Sequence, residues 1–218
     1  LFLGVKLQFS IMKTYAVFSC CYLPPIEYFF YLVQENHAIV DVNENFVKQT
    51  FRNRCSILSP NGKLDLVIPL LKKGKQTKIK DIKIAYYENW QKVHWKSIEA
   101  AYRSSPYFEF YEDDLKPIFL NHKSTLLIDF NQRLFDKIIE LVGLNQDIIK
   151  SEKYIEIQEV KADYRFISPK KPANLNYTEY IQVFSDKTGF QPNLSILDLL
   201  FNEGPNTKNY LLTGMKLQ

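Results

Sequence analysis

Residues 15–42 read YAVFSCCYLPPIEYFFYLVQENHAIVDV, and the order of patterns within them decides the fold. Tyr15 to Cys20 is a short, mostly apolar run of the kind a buried strand needs. Pro24 and Pro25 then open a helix, because the missing N–H of proline costs nothing in a first helical turn. Ile26, Phe29, Phe30 and Val33 keep helical spacing along one face. Ala38 to Val42 is a second apolar run. Strand, short helix, strand predicts a parallel pair.

Working outward, Arg54–Leu58 and Leu64–Leu70 read as two strands joined by Ser59 to Lys63, and Asn61-Gly62 is a strong hairpin signal. Leu64, Leu66, Ile68 and Leu70 alternate, which buries one face. Residues 79–85 continue as a strand. After Tyr87 the period lengthens. Asn89 can cap a helix running to about Ser104, which Pro106 prevents from continuing. Residues 107–120 form a second helix, broken or kinked near Pro117. Thr125 to Leu141 is the strongest helix, ended by Gly143. Residues 154–160 read as a strand and 161–192 as a long loop with a short helix near Tyr177. Ser195 and Asp198 can cap a helix over residues 196–201, stopped by Gly204 and Pro205. Strands first and helices after predict an α/β or α+β fold, with a mixed sheet from the N-terminal strands and a helical C-terminal half.

Composition bounds the function without naming it. The 218 residues are 46% hydrophobic and 24% charged, ordinary for a folded chain and enough for one domain. That domain is expected to run from Met12 to residue 218. Residues 1–11, LFLGVKLQFSI, then form an upstream or fragment-edge segment, since Lys6 and Lys13 interrupt any signal-peptide core and no small-residue cleavage site follows. No stretch approaches 18 uncharged apolar residues, so no membrane span is expected. Three Cys make no disulfide framework and suit a reducing cytoplasm. Seven Gly and no Gly-rich fingerprint argue against a phosphate loop and its cofactors, and none is expected. His37, His94 and His122 lack paired ligand spacing, and no C-x-x-C occurs, so no metal is expected.

Charge is uneven. Residues 48–96 hold twelve Lys/Arg and three acids, a net +9, leaving about −5 for the rest of the chain. Lys72, Lys73, Lys75, Lys78 and Lys80 read as a solvated loop and strand face. The basic residues are too dispersed to favour nucleic acid. Arg52 and Arg54 flank Asn53 in a segment of mixed polarity, and guanidinium groups grip planar oxyanions two-pronged, so Arg52, Asn53 and Arg54 are candidates to bind a phosphate or carboxylate. Tyr22 and Tyr28 follow the first strand, where α/β sheets take ligands, and would line that cleft. His94 lies one turn from both Trp90 and Ile98 and so faces inward, as a hydrogen-bonded core histidine or as a general base. Asp198 and Glu203 bracket the apolar Leu199-Leu200-Phe201. A plain helix stop does not require Glu203, and both carboxylates are candidates for catalytic roles.

Taken in series, Tyr22-Leu-Pro24-Pro25 with Tyr28-Phe29, Asp41, Phe51-Arg-Asn-Arg-Cys55, Asn61-Gly62, Leu66 to Pro69, Asp81, Trp90 to His94, Ile98, Tyr102, Ser105-Pro106-Tyr107-Phe108 and Ile196 to Pro205 resemble the WbqC-like family. That pattern runs through Q-P-x-Y-L-P, a central N-R, W-x-x-x-H and I-L-D-L-L-F-N-E-G-P. The likeness spans residues 15–212 in order. Phe18-Ser19-Cys20 stands where the family carries His-Gln-Pro. The resemblance implies a bacterial, cytoplasmic protein of O-antigen or capsule-type polysaccharide biosynthesis, acting on a nucleotide-linked or lipid-linked sugar. A transferase moving an amino acid or acyl group onto the sugar is one form of that role; a non-catalytic binding or assembly partner is the other.

Overall fold

The structure is a computed structural model that describes residues 14–218 apart from 73, 75 and 122. The expected upstream segment 1–11, the start at Met12, Lys73 and Lys75 of the basic loop, and His122 lie outside the described residues.

The opening unit forms as its pattern dictates. β1 (Ala16–Ser19), α1 (Ile26–Leu32) and β2 (His37–Asp41) make a parallel pair in register from Ala16↔Ala38 to Ser19↔Asp41. Every residue of β1 is buried, as expected of a parallel strand covered on both faces. β3 (Arg54–Ser59) and β4 (Gly62–Val67) form the expected hairpin. Its two turn residues are Pro60 and Asn61, because Ser59 pairs with Gly62, whose φ of +95° suits only glycine. Leu64 is 38% exposed, so only Leu66 and Ile68 of the alternating set are fully inside.

Three helices follow: α2 (Trp90–Tyr102), α3 (Phe108–Leu120) and α4 (Leu127–Val142). α3 runs through Pro117 to Leu120, because proline's missing N–H strands only the carbonyl of Asp113, an exposed residue. α4 ends as expected at Gly143, with φ of +72°. β5 (Asp147–Lys150) and β6 (Ala162–Asp163) complete a parallel sheet of order β5-β2-β1-β6. β7 (Leu175–Tyr177) pairs antiparallel with β8 (Met215–Leu217), after α5 (Ser185–Thr188), α6 (Ile196–Glu203) and α7 (Thr207–Thr213). One hydrophobic cluster joins strands and helices from Ala16 to Met215. This is an α/β domain with its helices mostly in the C-terminal half.

Three local expectations fail for identifiable reasons. Residues 79–85 form a 3-10 turn over Ile79–Asp81 and single bridges rather than a strand, although Ile79, Ile82 and Ile84 are buried as a strand would bury them. Residues 154–160 hold a short 3-10 turn at Ile157–Glu159, and the strands lie on either side of it as β5 and β6. The helix expected near Tyr177 is instead β7, with α5 further on. Gly204 and Pro205 end α6 as expected, and α7 follows from Thr207.

Candidate functional site

In the sheet order β5-β2-β1-β6, the chain builds to one side of β1 and then crosses to its other side. β1 and β6 therefore flank the topological switch point, outside whose carboxyl ends open α/β sheets take ligands. Those ends carry a buried ionic network. The Arg52 guanidinium donates to Ser19 Oγ at 2.8 Å, at the end of β1, and two-pronged to the Glu44 carboxylate, with Nε to Oε1 at 2.9 Å. Both side chains are nearly sealed from water. Burial opposes Arg52's charge, but the Glu44 carboxylate more than offsets this and holds the guanidinium charged. Glu44's own carboxyl is raised by burial, with Arg52 working against the rise. Beside it, Arg165 donates to Asp41 at 2.6 Å and two-pronged to Asp163. Asp41 also accepts from Ser151 Oγ and from the Asn43 backbone N–H.

Arg54 is placed differently. Residues 51–53 form a turn, so the strand alternation that would put Arg52 and Arg54 on one face begins only at Arg54. Asn53 turns inward and its amide donates to the Ile68 carbonyl at 3.0 Å. Arg54 instead lines an open cleft of about 540 Å³ with Gln49, Lys63, Asp65, Pro169 and Lys170. Its nearest acid is Asp65, at 3.7 Å, and that carboxylate already accepts from Ser56 Oγ at 2.6 Å. Its Nε is buried with no hydrogen-bond partner. Three cations thus face one partly engaged carboxylate. Gln49 has a φ of +58°, a conformation that costs a non-glycine residue roughly 1–2 kcal/mol.

The remaining candidates separate into two internal clusters. Tyr22 and His94 form one. The Tyr22 hydroxyl lies 2.9 Å from His94 Nδ1, and a backbone hydrogen bond with Val67 engages the ring as well. The tautomer that serves both partners carries its proton toward Val67 and accepts from Tyr22. Trp90 packs edge-on at 5.0 Å. Burial pushes the imidazole down to about 4, against the Val67 hydrogen bond. Tyr28 is buried nearby in sequence and donates to the Ser19 carbonyl at 3.2 Å.

Asp198 belongs to the other. It is fully buried on α6, between residues that are themselves fully buried. It does not cap the helix with Ser195, as the sequence suggested; Ser195 Oγ alone accepts from the Leu197 N–H at 3.4 Å. The Asp198 carboxylate accepts from the Tyr180 hydroxyl and, at 2.7 Å, from Gln182. Burial raises its carboxyl to about 6 despite those bonds. Burial, with the Asp198 charge adding to it, raises the Tyr102 hydroxyl at the end of α2. Tyr102 stands eight residues from His94, about 12 Å along the helix. Glu203 is half-buried at the end of α6 and accepts from Asn206. The structure therefore brings together Arg52 with Ser19 and Tyr28, and Tyr22 with His94, while Arg54 opens onto a cleft of its own. Sequence reasoning passed over Glu44, Asp163, Arg165, Lys63 and Lys170; the Asp163/Arg165 spacing and the Pro169-Lys170-Lys171 run were their only signals.

Among the described residues no group of three or more His, Cys, Asp or Glu side chains is set to hold a metal, and no helix is long and apolar enough to cross a membrane. The three cysteines are free and buried. Fold and site define an α/β protein whose parallel strands end in a sealed ionic network beside an open cationic cleft. The chain belongs to the WbqC-like protein family, which it matches over residues 20–173 and 165–210. It is similar to the uncharacterized protein Rv1507c of Mycobacterium tuberculosis (strain ATCC 25618 / H37Rv), 26% identical over 230 residues that cover 92% of this chain and 98% of the relative. No solved structure matches it.

Proposed function

We propose that this protein binds a nucleotide-linked or lipid-linked sugar by its anionic diphosphate in the Arg54 cleft, and serves cytoplasmic steps of bacterial surface-polysaccharide biosynthesis, of O-antigen or capsule type. The observation that carries the reading is Arg54 itself: a half-buried guanidinium with an unpartnered Nε, beside Lys63 and Lys170, in a cleft of about 540 Å³. The unpartnered Nε–H at the cleft edge is a donor that a phosphate oxygen can engage. Family membership supports the pathway. In the transferase form of this reading an amino acid or acyl group moves onto the bound sugar, with His94, Asp198 and Glu203 as acid–base candidates.

The second reading, a non-catalytic binding or assembly partner in the same pathway, is favoured by the internal engagement of His94 and Asp198. Each is spent on neighbours within the core rather than turned to the cleft. A thermal-shift titration with UDP-glucose, free UDP and glucose tests the binding that both forms share. The diphosphate ligands raise the melting temperature of the native chain and not of Arg54→Ala. Equal shifts in both proteins contradict the reading. Turnover of a sugar nucleotide that is lost in His94→Gln separates the transferase from the binding partner.

A further inference from the structure

Two clefts away from Arg54 meet at Lys123. One, of about 540 Å³, lies between the segment leading into α2 and the end of α3, with Tyr86, Tyr87, Glu88 and Asn89 on one side and Phe119 and Leu120 on the other. The second, of about 700 Å³, runs along the first turns of α4 to the end of β5 and carries Arg133 and Lys150. Lys123 lines both.

The first cleft is half fixed and half free. Tyr86 is pinned: its hydroxyl donates to the Ser124 carbonyl at 2.9 Å, its ring lies 6.0 Å from Trp90, and the Lys123 ammonium stands 5.7 Å from its centroid. Tyr87 is 86% exposed, and among the described residues neither it nor Glu88 nor the Asn89 side chain has a bonding partner. An aromatic face next to an unspent carboxylate and carboxamide suits a sugar ring. The C–H face packs on the aromatic, and neighbouring hydroxyls pair with the planar polar groups. The second cleft has the complementary chemistry. Arg133 and Lys150 have no ion-pair partner among the described residues; of the two acids in this cleft, Asp136 is occupied by Gln132 at 2.6 Å and Asp129 stands in the first turn of α4, where the Leu127 N–H already donates to the Ile82 carbonyl, so three cations face one unengaged carboxylate.

We infer that the two clefts form one site for a sugar phosphate, with the ring on Tyr87 and the phosphate among Lys123, Arg133 and Lys150. The inference rests on the proposed function for its meaning: a second, acceptor substrate beside the one at Arg54. Calorimetric titration of the full chain with glucose 1-phosphate, glucose, inorganic phosphate and UMP tests it, followed by a panel of other hexose 1-phosphates. A sugar phosphate binds more tightly than glucose or phosphate alone. Tyr87→Ala weakens it roughly tenfold and leaves inorganic phosphate unchanged, since Tyr87 stacks on the ring only. The Arg133→Ala/Lys150→Ala pair weakens both, and Arg54→Ala changes neither. No binding by any member of the panel, undiminished binding by Tyr87→Ala, or tighter binding of UMP than of the sugar phosphates by Arg54→Ala, in which the Arg54 cleft is disabled, overturns the assignment. Loss in Arg54→Ala also overturns it, while leaving the Arg54 reading standing. Binding here with none at Arg54 does the reverse.

Discussion

Arg52 and Arg54 are separated by one residue and sit in opposite electrostatic settings. Arg52 is 4% exposed, joined to Glu44 and Ser19 at the end of β1. Arg54 edges an open cleft with one distant acid and two further cations. Like-charged side chains of one type thus do different work according to what surrounds them. A buried charge must find its counter-charge within the fold, and breaking that pair leaves the other charge stranded. A charge at a cleft edge with a weak partner costs the fold little and stays available to a ligand.

The comparison breaks most visibly at Arg52. Arg52→Ala leaves the Glu44 carboxylate buried alone and is expected to cost about 3–5 kcal/mol in denaturant unfolding, whereas Arg52→Met with Glu44→Leu recovers most of that loss. A cost below about 1 kcal/mol would move Arg52 to the surface class. Next comes Asp198→Ala, which strands the Tyr180 hydroxyl and the Gln182 amide and is expected to cost about 1–3 kcal/mol. Asp198→Asn keeps one carbonyl oxygen to accept from both, as Oδ2 does, and sheds the charge, so it unfolds at least as late as the native chain above pH 6.

The same groups set opposing pH slopes. Asp198's carboxyl rises from an ordinary 3.8 to about 6 on folding, so its contribution is present below its unfolded value and lost as the pH rises through about 6. His94 falls from 6.5 to about 4, so its contribution is present above 6.5 and lost as the pH falls toward 4. Melting temperatures measured from pH 4 to 7 therefore decline less on acidification in His94→Gln than in the native chain, and more in Asp198→Asn. The smallest stability effect belongs to Arg54→Ala, within about 0.5 kcal/mol, because its removal leaves no buried charge behind.

Local signals made the first half of the fold legible. The apolar runs about Pro24-Pro25, the Asn61-Gly62 hairpin signal and the periodic residues of α4 each carry their structure in adjacent residues. β5 and β6 were not legible. Asp147 and Lys150 end one, the other is two residues long, and both exist because β2 and β1 offer them ladder partners more than a hundred residues away. Residues 79–85 misled because a buried turn and a buried strand can place Ile79, Ile82 and Ile84 inside equally well. At the site, Arg52, Asn53 and Arg54 were legible as a polar island, but the division among them was not. It depends on the turn at 51–53 and on Glu44, a single acid in a polar segment whose partner no spacing rule reveals.

On the proposed function, the open arginine binds ligand and the buried one holds the fold. Calorimetric titration of UDP-glucose into the native chain, Arg54→Ala and Arg54→Lys, each at matched folded fraction, separates the two roles. Binding that falls at least about tenfold in Arg54→Ala and only partly in Arg54→Lys, with unfolding unchanged, is the predicted result. Equal affinity across the three proteins would contradict it.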